Sequence, residues 1–120
     1  MEFLTPWHAR TDSQIVDELH REMAPGHVLE NVDLSAIAYR QDCDEVLYAF
    51  NDGSRRFAAV HLTFCKTRET NPMWPRTWIF ESAEKWLEYM HVEHSAWKEE
   101  DPDGQLWLKA RELWDAAQKF

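Results

Sequence analysis

Asp42, Cys43, Asp44 and His61 place a thiol, an imidazole and two carboxylates in one stretch of chain. A cysteine thiolate next to a histidine is a nucleophile, and an acid that orients the imidazole completes such a site. Sulfur and imidazole nitrogen also bind zinc, so Cys43, His61 and His27 form an alternative metal set. Both readings depend on strand register. Asn51-Asp52-Gly53-Ser54 separates two strand-like runs, and Asp-Gly supplies the positive φ values of a two-residue hairpin turn. That turn predicts the pairs Phe50 with Arg55, Tyr48 with Phe57, Val46 with Ala59 and Asp44 with His61. A carboxylate opposite an imidazole fixes its tautomer and raises its pKa. Cys43 then sits at the adjoining turn, and His27 joins if the segment after the first helix passes that end of the sheet. The plainer account is structural: His61 is a strand histidine bonded to Asp44, Asp42 shapes a turn, and Cys43 fills space. The register is vulnerable to a single bulge. No C-x₂-C spacing is present, and neither a metal nor a cofactor is expected.

His91 and His94 lie at i, i+3, and the zincin arrangement of i, i+4 with a following Glu is absent. His94 shares a helical stripe with Met90 and Trp97, which marks it as a core or interface histidine. Trp74, next to Met73 and Pro75, falls in a proline-rich connection, where a large aromatic suits a partner surface. Trp78, Trp86, Trp97, Trp107 and Trp114 read mainly as core or helix-contact residues. Glu99, Glu100, Asp101 and Asp103 form an acidic run that can steer a basic partner.

The elements that must hold these residues follow from periodicity. Thr11-Asp12-Ser13 offers three N-caps, and Ile15, Val16, Leu19 and Met23 lie on one helical stripe. Ala24-Pro25-Gly26 ends the helix, so a helix is expected over 13–23, with Asp17, Glu18, Arg21 and Glu22 on its wet side. Ser35 to Arg40, Glu45 to Phe50 and Arg56 to Phe64 are rich in aromatic and β-branched residues, and Thr77 to Phe80 is a fourth strand candidate. Ser82 caps a second helix over 82–98. A third, over about 105–119, presents Leu106, Ala110, Leu113 and Ala117 on one face. The expected fold is therefore α+β: one domain over 1–120, with an antiparallel meander of three to four strands over 35–80. An N-terminal helix and two C-terminal helices pack on that sheet.

Three motifs together carry a resemblance: Ala24-Pro25-Gly26-His27, Asp42-Cys43-Asp44-Glu45-Val46-Leu47, and Val60-His61-Leu62-Thr63 with Trp74-Pro75 downstream. Over about residues 13–90 the chain resembles a family of small bacterial proteins with this Pro-Gly-His, Asp-Cys-Asp and Val-His-Leu-Thr pattern. The resemblance implies a bacterial cytoplasmic protein and carries over no activity, cofactor or catalytic residue.

Composition narrows the function. The chain has 120 residues, 44% hydrophobic, with seven Trp, six Phe and three Tyr. By surface scaling, a chain of this size buries roughly two thirds of its surface and needs no staples. The net charge of −9 argues against an ordinary basic nucleic-acid binder. Residues 1–35 carry seven acids and two bases, net −5, and residues 81–104 carry eight acids and two bases, net −6. No apolar run approaches bilayer length, the first ten residues lack a signal-peptide pattern, and two cysteines suit a reduced cytoplasm. There is no Walker, Rossmann or G-x-S-x-G motif. The expectation is a non-catalytic interaction protein, in one version an acidic inhibitor or immunity-type partner of a basic protein. Its contacts would be Trp74, Met73, Asp42, Glu99, Glu100 and Asp101. The alternative is a small enzyme or metal-binding protein using Asp42, Cys43, Asp44, His61 and His27. A homodimer is a third option.

Overall fold

The computed structural model describes residues 2–41, 44–62, 75–98 and 104–119. In chain order the elements are β1 (Trp7–Ala9), α1 (Ser13–Glu22), β2 (Leu34–Arg40), β3 (Glu45–Phe50), β4 (Phe57–His61), β5 (Thr77–Phe80), α2 (Ala83–Trp97), α3 (Gln105–Ala116) and β6 (Gln118–Lys119). The strands form one antiparallel sheet in the order β1-β2-β3-β4-β5-β6. The α+β class and the meander stand, but the sheet has six strands rather than three or four. The extra two are short edges: β1 pairs Trp7 with Arg40, and β6 pairs Gln118 with Ile79. The last helix consequently stops at Ala116, and the chain beyond it turns extended.

The helices divide between the two faces of the sheet. On one face α1 covers a core of Ile15, Leu19 and Met23 against Leu34, Val46, Tyr48 and Val60. On the other, α2 and α3 cover Trp7, Leu47, Phe57, Phe80, Trp86 and Tyr89. A sheet covered on both sides needs apolar residues at consecutive strand positions. Val46, Leu47 and Tyr48 are all buried, as are Phe57 through Val60. Each large apolar side chain withdrawn from water in this way contributes about 1.5–3 kcal/mol.

The local signals act largely as their chemistry dictates. Asp12 caps α1 by accepting from the Gln14 N–H at 2.9 Å. Ser82 caps α2 by accepting from the Lys85 N–H at 3.2 Å. Gly26 takes φ +89, which a residue with a Cβ rarely adopts, and so turns the chain after α1. One expectation about α1 fails. Glu18 and Glu22 lie on its buried side, at 6% and 0% exposure, because the covered face spans positions 15, 18, 19, 22 and 23. Glu18 accepts from Arg21 at 3.0 Å. Tyr48 packs against this face and donates its hydroxyl to the Ile15 carbonyl at 2.9 Å. Burial, followed by the nearby Glu22 and Glu18 carboxylates, pushes that phenol well above its usual range.

Two irregularities set which side chains meet. The β3–β4 connection is a five-residue loop, Asn51 to Arg55, in which Gly53 and Arg55 both take positive φ. The Phe50 N–H donates to the Arg56 carbonyl at 3.1 Å across its base. Register therefore moves by one residue: Glu45, not Asp44, lies opposite His61, and Tyr48 lies opposite Ala58. Secondly, β2 carries a bulge. Ala36 pairs with Tyr48 and Ala38 with Leu47, leaving Ile37 as the extra residue. Leu34 and Ala36 thus face α1, whereas Ala38 and Arg40 face α2.

Candidate binding face

The cluster expected at one end of the sheet does not assemble. His27 is buried, at 3% exposure, and both ring nitrogens are used. Nδ1 accepts from the Leu29 N–H at 3.1 Å, so Nε2 carries the proton and donates to the Pro75 carbonyl at 2.9 Å. The Thr77 hydroxyl lies 3.3 Å from Nε2 and itself donates to Pro75 O at 3.0 Å. Desolvation holds the His27 pKa below its ordinary value. The segment after α1 does reach this end of the sheet, but on the α1 face, where Val60 and Leu62 pack. His61 lies between those two residues in β4, so strand alternation turns it to the opposite face. Asp44 is exposed, and its carbonyl accepts from the Leu62 N–H at 3.0 Å. The one-residue register shift thus separates Asp44 from His61, and the sheet itself separates His61 from His27. Asp42, Cys43, Met73, Trp74, Glu99, Glu100, Asp101 and Asp103 lie outside the described residues. Among the described residues no group of three His, Cys, Asp or Glu side chains is placed to hold a metal ion.

On α2, His91 points to solvent and His94 is half-buried. A carbonyl only accepts, so His94 Nδ1 carries the proton and donates to Thr5 O at 2.8 Å. This ties the segment before β1 to α2. Among the tryptophans, Trp86 is buried and Trp114 stacks on Trp78 with centroids 4.7 Å apart. Trp107 departs from the core reading, being 43% exposed.

The polar centre that sequence reasoning passed over is Glu93. It is 2% exposed, yet it accepts from Trp7 Nε1 at 2.7 Å, from Arg40 Nη1 at 2.6 Å and from the Tyr89 hydroxyl. A buried carboxylate survives only with such partners. Burial, then the Glu93 charge, pushes the Tyr89 phenol well above its usual range, so it remains a donor. The signal was present: Glu93 occupies the same stripe as Trp86, Tyr89 and Met90, at i+7, i+4 and i+3 from it. A charge on an apolar stripe calls for a buried counter-charge, which the β2 bulge supplies as Arg40.

Two clefts flank α3. One, of about 360 Å³, is bounded by Arg40, Glu45, Tyr89, Glu93, Trp107 and Trp114. The other, of about 280 Å³, lies between β5, α2 and α3. Phe80, Leu113 and Ala117 give it an apolar lining, and Glu81, Lys85 and Glu88 border it. Among the described residues, neither cleft is lined by a hydroxyl, thiol or imidazole nucleophile other than the Tyr89 phenol. That phenol is committed to Glu93. In the larger cleft the Glu93 carboxylate is already taken up by three donors, whereas the smaller is lined in part by Phe80, Leu113 and Ala117. The arrangement suits binding better than proton transfer.

Comparison with protein-family models, curated proteins and solved structures gives no match for this chain. Among the described residues, no helix is long and apolar enough to cross a membrane.

Proposed function

We propose that this protein is a non-catalytic binding module for a basic protein, acting in the manner of an acidic inhibitor or immunity-type partner in a bacterial cytoplasm. The carrying observation is the acid-rimmed apolar groove between β5, α2 and α3. Glu81, just before α2, and Glu84 and Glu88 in its first half are exposed, and Lys85 is the single cation among them. Lys85 is 67% exposed and 3.8 Å from Glu81, a pair that water largely screens. The rim remains net negative beside the apolar lining of Phe80, Leu113 and Ala117. The occupant that fits is a partner segment carrying an apolar side chain next to Lys or Arg. The lining takes the apolar group, and the rim, added to a net charge of −9, speeds encounter.

The experiment is affinity capture from the native host's lysate at low and then moderate salt, run in parallel with Glu84→Lys/Glu88→Lys. A near-stoichiometric basic protein should be retained by wild type and weakened by salt. With that protein purified, association to the double variant should slow by about tenfold or more. Equal, salt-insensitive association rates for the two forms would remove the basis for the proposal.

A further inference from the structure

We propose that the Asp52–Gly53 bond is a modification site, where the chain rearranges to isoaspartate through a succinimide at a rate that Ser54 and Arg56 hold down. The Gly53 backbone nitrogen attacks the neutral Asp52 side-chain carboxyl. A C–N bond closes the ring, and the N–H proton and the carboxyl hydroxyl leave as water. Water then opens the ring at either carbonyl and gives back aspartate or gives isoaspartate. The step needs no oxidant, reductant or co-reactant other than water.

The bond lies in the β3–β4 loop, where Asn51 to Arg55 are all exposed to water. Gly53 takes φ +79, and a Cβ placed on it would meet nothing within 4 Å. A side chain on the attacking residue hinders ring closure, and glycine has none. The same loop also carries a restraint. Asp52 Oδ1 accepts from the Ser54 N–H at 2.9 Å, and Oδ2 accepts from Arg56 Nη2 at 3.2 Å. Arg56 is itself fixed: its Nε donates to Ser54 Oγ at 3.1 Å, and its guanidinium carbon stands 4.4 Å from the Phe50 ring centroid. The carboxyl is thereby bonded to the N–H one residue beyond the attacking nitrogen. Hydrogen bonds from Ser54, then from Arg56, also hold its pKa below the ordinary value. A neutral acid gives up water far more readily than a carboxylate, so both effects slow the ring closure.

Isoaspartate routes the main chain through Cβ and lengthens the loop that joins β3 to β4. The free carboxylate then stands on Cα, whereas the contacts from Ser54 and Arg56 fit one carried on Cβ. The rearrangement therefore removes the restraint that delayed it.

The test incubates the full chain at physiological temperature and maps isoaspartate by peptide mass spectrometry, with protein isoaspartyl methyltransferase as the label. The sequence holds a second Asp-Gly pair, Asp103-Gly104, which serves as an internal reference. Isoaspartate should build up at position 52 of the folded chain, more slowly than in the urea-unfolded chain. Arg56→Ala keeps the backbone bond from the Phe50 N–H. It should raise the rate at Asp52 several-fold and leave the rate at Asp103 unchanged. Arg56→Lys, which keeps the charge without the fork, should fall between the two. The near-UV tryptophan signal shows that each variant keeps its fold. The wild-type rate at Asp52 should fall as pH rises from about 5 to about 7.5, since less of the carboxyl is then neutral. Asp52→Glu should remove the signal at this position, because its longer side chain does not close the same ring. A folded chain with no isoaspartate at position 52, under conditions where the unfolded chain accumulates it, would overturn the site. Equal rates at Asp52 in wild type and Arg56→Ala would overturn the restraint.

Discussion

Replacing Arg40 with Ala should cost about 3–5 kcal/mol of folding stability, the largest loss expected from any single polar substitution in this protein. Arg40 is 14% exposed and holds Glu93 at 2.6 Å, while Glu93 is 2% exposed. Removing the guanidinium leaves a nearly buried carboxylate with Trp7 and Tyr89 as its remaining donors. Those two hydrogen bonds are strong because the acceptor is charged, but they supply no counter-charge. Arg40→Met/Glu93→Gln should be less damaging than Arg40→Met alone. Gln still accepts from Trp7 or Tyr89, and it brings no buried charge. Urea unfolding of wild type, both single variants and the double variant gives the coupling energy directly. A loss below about 1 kcal/mol for Arg40→Ala would mean that the pair behaves as a solvated one.

This pair also shows where sequence reading reaches its limit. Alternation along β2 puts Leu34, Ala36, Ala38 and Arg40 on one side of the sheet, facing α1. The bulge at Ile37 turns the second pair to the other side, and nothing in Leu-Ser-Ala-Ile-Ala-Tyr-Arg announces it. The hairpin failed to show in the same way. Asp52-Gly53 is a strong two-residue turn signal, yet the chain forms a five-residue loop with Arg55 at φ +60. The Asp52 carboxylate accepts from the Ser54 N–H at 2.9 Å and from Arg56 at 3.2 Å, closing a wider turn than the dipeptide requires. An odd-sized loop exchanges every pair by one position, and Asp44 thereby loses His61.

What did show was whatever local chemistry controls alone. The caps at Asp12 and Ser82, the stop at Ala24-Pro25-Gly26 and the four central strands all follow from residue type and period. The edge strands did not. β1 is three residues long and β6 two, so neither has enough length to display alternation, and both exist because a neighbouring strand offers its open edge. The burial of Glu18 and Glu22 was likewise hidden, since a helix seen alone gives no measure of how wide a face its sheet will cover. His27 lay between these cases. Pro25-Gly26-His27 marks a turn, and the turn brings the imidazole to the sheet. Its partners, Leu29 N–H and Pro75 O, are backbone groups that no residue pattern specifies.

Those partners make His27 the origin of a pH dependence. Its folded pKa lies below the ordinary 6.5, chiefly because burial disfavours the cation. Below pH 6.5 the unfolded chain therefore binds a proton that the folded one resists. Stability from this group is complete above pH 6.5 and falls as pH drops toward the folded pKa. Protonation at Nδ1 also removes the acceptor for Leu29 N–H, which opens the turn that follows α1. His27→Leu should remove the dependence together with the hydrogen bonds. The Leu29 N–H then lacks its partner, at about 1–3 kcal/mol, while the Pro75 carbonyl keeps the Thr77 hydroxyl. Urea midpoints of wild type and His27→Leu at pH 7.5 and pH 5.5 separate the two effects. The variant should be markedly weaker at pH 7.5, and the gap should narrow at pH 5.5, where wild type has given up part of what His27 supplies. Acidic residues elsewhere titrate in both proteins and cancel in the comparison. A gap that stays constant between the two pH values would show that His27 is not held neutral by its burial. A gap that widens on acidification would mean that the folded state favours the imidazolium.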